Sequence, residues 1–226
     1  MSRVGAVIVA AGKSKRMGGA DKLFVELAGK PLLVHTVDAF EACPSVDEIV
    51  IVLAEESVDR GRSLAEQHGW RKVSAICRGG AERQDSVLAG LSSLSRCDWV
   101  VIHDGARPCV SPDLIEGGLA EAAEGGAAIA AVPVTDTIKV VSPSRHIEKT
   151  QPRENLWAAQ TPQVFRVDII REAFRKSGGY VTDDAALVEK LSCAVKVYPG
   201  SKSNIKVTSP EDLVLAEAVL RGRGQG

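Results

Sequence analysis

No apolar run in the 226 residues reaches the roughly 18 to 20 residues that a membrane-crossing helix needs, so no span is expected. The apolar opening Val4 to Ala11 is short and runs into lysines, so no secretory signal is expected either. Charge of one sign is also missing: 28 Lys+Arg stand against 29 Asp+Glu, a net charge of −1. No global field therefore draws the chain to nucleic acid or to an anionic membrane, and any anion has to be caught by a local cluster. The five cysteines, Cys43, Cys77, Cys97, Cys109 and Cys193, are far apart, odd in number and without a C-x-x-C pair. That pattern excludes a zinc site and fits small buried hydrophobes in a reducing cytoplasm. Internal repeats are absent. What is present is an ordinary globular composition, 45% hydrophobic and 25% charged, enough to bury a full core.

Short β-rich runs bounded by turn residues recur at Val4 to Ala10, Glu48 to Leu53, Val73 to Cys77, Trp99 to His103 and Ala127 to Val134. Stretches of helical periodicity lie between them, at Pro31 to Ala42, Glu82 to Leu94 and Pro112 to Ala123. This alternation predicts β-α-β units on a parallel sheet buried on both faces, a Rossmann-like three-layer α/β fold in one domain over residues 1–226. Ser111-Pro112 and Ser209-Pro210 read as helix starts, a capping hydroxyl followed by a first-turn proline. Between about 135 and 163 the pattern breaks. Three prolines fall among charges there, and Ile138 to Val141 and His146 to Glu148 read as short strands. The segment is too long for an ordinary connection and is expected to project as a β-arm, a lid or a dimer clasp.

The strongest chemical signal follows the first strand: Ala10-Ala11-Gly12-Lys13-Ser14-Lys15-Arg16-Met17-Gly18, running on to Asp21-Lys22. Between Lys13 and Lys30 five basic residues face two acidic ones in a chain that is otherwise neutral. Ligands of open α/β sheets sit at the carboxyl ends of the strands, and glycines at 12, 18 and 19 let backbone N–H groups approach an oxyanion. The loop is therefore a phosphate holder. It is not a Walker A loop, whose first glycine would fall on Val7, nor a dinucleotide fingerprint, which would need glycines where Ala10 and Lys15 stand.

Several segments then narrow the reading: A-A-G-x-x-x-R-M-G with Lys22 and Leu27-Ala28-Gly29-Lys30-Pro31-Leu32, Gly79-Gly80-Ala81-Glu82-Arg83-Gln84-Asp85-Ser86-Val87, His103-Asp104-Gly105-Ala106-Arg107-Pro108, Leu156 to Gln163, and Asn204-Ile205-Lys206-Val207-Thr208. The first resembles the signature of sugar and polyol phosphate nucleotidyltransferases. Taken together, over nearly the whole chain, they resemble the 2-C-methyl-D-erythritol 4-phosphate cytidylyltransferases of the non-mevalonate isoprenoid route.

That resemblance implies transfer of a cytidylyl group from CTP to a polyol phosphate, with Mg²⁺ and a homodimer. It implies that Arg16, Lys22 and Lys206 act at the reaction centre. Ala10, Ala11, Gly12, Gly80, Ala81, Ser86, Asp104, Gly105 and Arg107 would hold the nucleotide, with Gly80, Ala81 and Ser86 reading cytosine. Thr137, Arg153, Thr161 and Lys206 would hold the acceptor, Thr137 and Arg153 reaching across from a second subunit. The physical need is plain: two multiply anionic reactants must meet in line, and each like-charge pair near 4 Å costs roughly 4 kcal/mol at an effective dielectric near 20. Catalysis is then mostly cation placement and alignment.

Asp104, at the end of a strand, suits Mg²⁺, which takes one or two carboxylates plus phosphates and water. The lesser alternative is that it caps the next helix or pairs with Arg107. His103 is expected to be structural, because an ionised phosphate needs no general base. Read without the family, Arg153 beside Glu154 is a solvated surface residue. Two departures from the family pattern stand out: Asp21 and Leu23 flank Lys22 where proline and glutamine are usual, and Gly105 stands where alanine is common, a change expected to be harmless. A cytidylyltransferase for another polyol phosphate, such as ribitol 5-phosphate, and a catalytically silent nucleotide-binding protein remain as alternatives.

Overall fold

The computed structural model describes residues 2–12, 22–176 and 181–223. Eleven strands and seven α-helices follow one another along these residues. The first half holds β1 (Val4–Ala10), β2 (Glu26–Leu27), β3 (Lys30–Pro31), α1 (Leu32–Ala42), β4 (Glu48–Leu53), α2 (Val58–His68), β5 (Val73–Arg78), α3 (Arg83–Ser93), β6 (Trp99–Asp104) and α4 (Pro112–Gly125). After β7 (Ala127–Pro133) come β8 (Ile138–Val141), β9 (Ile147–Gln151), β10 (Trp157–Arg166), α5 (Val167–Lys176), α6 (Ala185–Glu189), β11 (Lys196–Pro199) and α7 (Pro210–Arg223).

Seven strands form the main sheet in the order β11-β7-β10-β6-β1-β4-β5. All its pairings are parallel except those of β10, which runs antiparallel to both neighbours. The two-residue side-chain period of each strand divides the core into two layers. Along β1, Val4, Ala6, Ile8 and Ala10 pack with α1, α2, α4 and α7, while Val7 packs with Val87 and Leu91 of α3 and with residues of α5 and α6. The expected three layers are present.

Two details depart from the sequence reading. The projecting arm is shorter than 135–163: only β8 and β9 form the separate hairpin, and β10 is a strand of the main sheet. Pro162 disguises it as a connection, falling where the register of β10 on β7 shifts between Ala159 and Gln163. At α7, Asp212 does as much capping as Ser209: its Oδ2 accepts from the Thr208 and Ser209 backbone N–H groups and from the Thr208 hydroxyl, each at 2.8 Å. At α4 the hydroxyl of Ser111 accepts from the Leu114 N–H with Pro112 in the first turn, as the sequence predicts.

The chain runs β1 to β4 to β5 in one direction, then returns past β1 to place β6 on its other side. The order of strands reverses there, and at the carboxyl ends of strands flanking such a reversal a crevice opens.

Candidate active site

A crevice of about 820 Å³ lies at that reversal, walled by the ends of β1, β4, β5 and β6. Ala10, Ala11, Gly12, Lys22, Gly80, Ala81, Ser86, Asp104 and Lys206 line it, so segments spread over the whole sequence converge on one cavity. Arg16 lies outside the described residues.

Lys22 is held by its neighbours. It opens a single 3₁₀ turn, Lys22–Phe24, whose Leu23 and Phe24 are buried in the core. The leucine that departs from the family pattern is thus an apolar anchor for the lysine beside it. The ammonium Nζ of Lys22 donates to the carbonyl of Val207 at 2.8 Å, next to Lys206. Lys206 is brought in by stitches on either side of it. The Asn204 side chain donates to the Thr161 carbonyl at 2.7 Å, the Arg107 guanidinium donates to the Asn204 carbonyl at 2.8 Å, and the Val207 N–H donates to the Ala106 carbonyl at 2.8 Å. Between these anchors Lys206 places its ammonium 2.9 Å from Oδ2 of Asp104.

Asp104 is the centre of the charge distribution. Its Oδ2 also faces Nε of Arg107 at 3.5 Å, and its Oδ1 faces Nε of Arg83 at 3.5 Å. Burial alone would raise its carboxyl, but Lys206, Arg83 and Arg107 outweigh burial and hold it below the ordinary carboxylate range. The sequence alternative of an ion pair with Arg107 is therefore realised, alongside two further cations. As a metal ligand Asp104 fits in one way only. Among the described residues no group of three or more His, Cys, Asp or Glu could hold a metal, so an ion there would take this carboxylate, substrate oxygens and water. Its nearest cation, Lys206, would have to yield Oδ2.

Behind Asp104 a buried relay fixes the backbone. The Asp104 N–H donates to the Thr161 hydroxyl at 3.0 Å, and that hydroxyl is 3.0 Å from Nδ1 of His103. With Thr161 accepting from Asp104, its proton goes to Nδ1, which leaves Nε2–H to donate to the Arg107 carbonyl at 3.3 Å. Burial pushes His103 down to about 3, so the ring is neutral and structural, tilted on Phe40 at 5.2 Å. Thr161, expected to hold the acceptor, is 3% exposed and spends its hydroxyl on this relay. Arg107 and Gly105 are likewise behind the crevice wall: Arg107 is buried against Asp104 and Asn204, and the Gly105 carbonyl accepts from the Thr36 hydroxyl at 3.1 Å. A Cβ at Gly105 would come 2.8 Å from that of Ala10, so alanine there is not free of cost. Thr137 and Arg153 are exposed on either side of the arm, Arg153 donating to the Thr135 carbonyl, and neither lines this crevice.

The turn from Gly79 to Ser86 is built from within. Glu82 and Asp85 form a reciprocal capping box at the start of α3, and the Ser86 hydroxyl accepts from the Gly80 N–H at 3.2 Å and donates to the Glu82 carbonyl at 3.3 Å. Glycine is required here for internal packing: a Cβ on Gly80 would lie 2.1 Å from Cβ of Asp85, and one on Gly79 would lie 2.3 Å from Cβ of Ala11. Sequence reasoning passed over Arg83, Arg78, Glu55 and Asp184. Arg78 pairs with Glu55 at 2.9 Å on the crevice rim, and Arg83 reaches buried Asp184 at 2.8 Å. Asp184, far downstream of Arg83, carries no local signal that could have linked the two.

The family model described as 2-C-methyl-D-erythritol 4-phosphate cytidylyltransferase matches residues 4–222. The chain belongs to that family. A relative bearing that name from Dehalococcoides mccartyi (strain CBDB1) is 54% identical over 219 residues, covering 97% of this chain and 96% of the relative. One from Alkaliphilus oremlandii (strain OhILAs) is 44% identical over 232 residues, with 100% and 98% covered. The crystal structure of 4-diphosphocytidyl-2C-methyl-D-erythritol synthase from Anaerococcus prevotii DSM 20548 superposes with a TM-score of 0.85 at 30% identity, over 97% of this chain and 99% of that one. The cytidylyltransferase from Thermus thermophilus gives 0.76 at 33%, with 98% and 100% covered. This cytidylyltransferase chain therefore shares its architecture with relatives along its whole length.

Proposed function

We propose that the chain transfers the cytidylyl group of CTP to 2-C-methyl-D-erythritol 4-phosphate, releasing pyrophosphate and forming 4-diphosphocytidyl-2-C-methyl-D-erythritol. The observation that carries the reading is the meeting of Lys22 and Lys206 over one crevice that also holds Asp104 and the glycine turn before α3. Two anions that repel each other need cations fixed before they arrive, since fixed charges cost no reorganisation at the moment of reaction. Lys206, with its side chain 44% exposed, is the cation that incoming phosphate oxygens compete for with Asp104. Lys22 and Arg16 are assigned to the charge that builds on the α-phosphate and the departing pyrophosphate. Gly80 and Ala81 are assigned to cytosine through backbone groups in the turn that the capping box closes, and Ser86 through its hydroxyl.

Mg²⁺ is the metal we infer, with Asp104 as its one protein ligand; when bound, it would neutralise phosphate charge. A carboxylate kept deprotonated suits that role. For the acceptor, Arg153 and Thr137 are assigned to a neighbouring crevice in a homodimer, which their exposure beside the arm supports. Five free thiols suit a reducing cytoplasm, and no described helix is long and apolar enough to cross a membrane.

The test is pyrophosphate release from a panel of CTP, UTP and ATP with methylerythritol phosphate or ribitol 5-phosphate as acceptor. Release is expected from CTP with methylerythritol phosphate alone and only with Mg²⁺. Equal turnover of ribitol 5-phosphate would move the acceptor assignment, and nucleotide binding without turnover would remove the enzymatic reading. Lys22→Ala is expected to lower kcat/KM by a factor on the order of 10² to 10³, as for other preorganised donors.

A further inference from the structure

Arg83 stands at the first position of α3 with one face on the crevice and the other on the protein interior. Its Nη1 lies 2.8 Å from Oδ2 of Asp184, and its Nε lies 3.5 Å from Oδ1 of Asp104. Asp184 is wholly buried and lies outside the crevice lining, immediately before α6. Neither of its carboxylate oxygens has a conventional hydrogen bond, so the guanidinium is the charge that compensates it. Leaving a buried carboxylate without its cation is costly, which pins Arg83 to Asp184 and fixes where its Nε can point.

The two oxygens of Asp104 are consequently served by different kinds of cation. Oδ1 faces Arg83, tied to Asp184. Oδ2 faces Arg107, tied to the Asn204 carbonyl, and Lys206, whose side chain is 44% exposed against 27% for Arg83 and 10% for Arg107. One partner is exchangeable and two are anchored. When phosphate oxygens draw Lys206 away, a carboxylate without the anchored pair would be free to rotate toward whatever cation remained.

We propose that Arg83 is a positioning residue, held by Asp184, that keeps Asp104 in one orientation while Lys206 changes partners during turnover. This rests on the cytidylyl-transfer reading of the crevice. Asp184 is the informative position: it lies outside the crevice lining, and Arg83 is the cation that joins it to Asp104. Asp184→Asn keeps the shape and removes the charge; kcat is expected to fall about tenfold with the KM for CTP changed less than twofold. Arg83→Lys, which compensates Asp184 but lacks the planar fork needed to face two carboxylates, should give the same split at an unchanged melting temperature. The double variant should lose no more than the worse single one, as for residues acting as a unit. Wild-type kcat in Arg83→Lys, or losses that multiply in the double variant, would overturn the proposal; a tenfold rise in the KM for CTP would too, since it would mean that Arg83 binds nucleotide itself. Crystals of wild type and Arg83→Lys soaked in inorganic pyrophosphate, which draws Lys206 off Asp104, give a readout independent of activity: a rotated Asp104 carboxylate in the variant supports the proposal even if the wild type turns over a different substrate, and an unmoved one refutes it.

Discussion

Single atoms decide how this crevice is kept in shape. A Cβ at position 80 would lie 2.1 Å from Cβ of Asp85, so Gly80→Ala must displace one half of the capping box that starts α3. Overpacking of this kind costs typically about 1–3 kcal/mol. The expected outcome is a lower melting temperature together with weaker CTP binding by calorimetry; a variant that melts lower and binds CTP as well as wild type would separate this turn from the nucleotide. His103 sets a pH dependence. Burial lowers it from 6.5 to about 3, so between those values the unfolded chain binds a proton that the folded chain refuses. Stability is therefore undiminished above pH 6.5 and falls as the pH falls toward 3, by about 1 to 2 kcal/mol at pH 5.5. Asp104, whose ordinary value is 3.8, acts in a lower window, whereas Asp184, raised above 3.8 by its burial, adds a slope of the opposite sign that His103→Gln leaves in place. Urea denaturation between about pH 7.5 and 5.5 should show the decline, and His103→Gln should flatten it. An equal slope in the variant would assign the decline elsewhere.

At the level of elements, the strands of the first half were readable because a parallel strand covered on both faces is a short continuous apolar run, and β1, β4 and β6 are that. The crevice loops were readable because glycines and cations cluster where strands end. What escaped reading was long-range: β10 is antiparallel and broken by Pro162, so its place in the sheet depends on β6 and β7. Thr161 looked like an acceptor ligand, yet its hydroxyl is consumed by His103 and the Asp104 backbone, partners no local pattern could name. The arm β8–β9 carries a prediction of its own. Arg153 is exposed beside it and outside its own crevice, and an Arg suits a phosphate because its fork meets two oxygens at once. Arg153→Ala is expected to raise the KM for the polyol phosphate tenfold or more while leaving that for CTP within twofold. Initial rates with each substrate varied in turn decide it, and a selective loss of CTP binding would make the assignment wrong.

For the molecule as a whole, the arm poses a question of partnership. Two strands alone are marginally stable in water, and this hairpin pairs with no strand of the main sheet. It nonetheless exposes Val140, Val141 and Ile147 at 43%, 54% and 64%. Clustered apolar side chains of that kind mark an interaction surface, and a second copy of the chain is the partner that would also bring Arg153 to another crevice. A dimer is expected by sedimentation at micromolar concentration. Ile147→Glu places a charge on that surface, at a residue that does not line the crevice of Lys22, Asp104 and Lys206. It should shift the equilibrium to monomer, keep CTP binding by calorimetry, and raise the KM for the acceptor as Arg153→Ala does. Acceptor affinity that survives in the monomer would show that each crevice is complete without its partner, and a dimer that survives Ile147→Glu would move the interface off the arm.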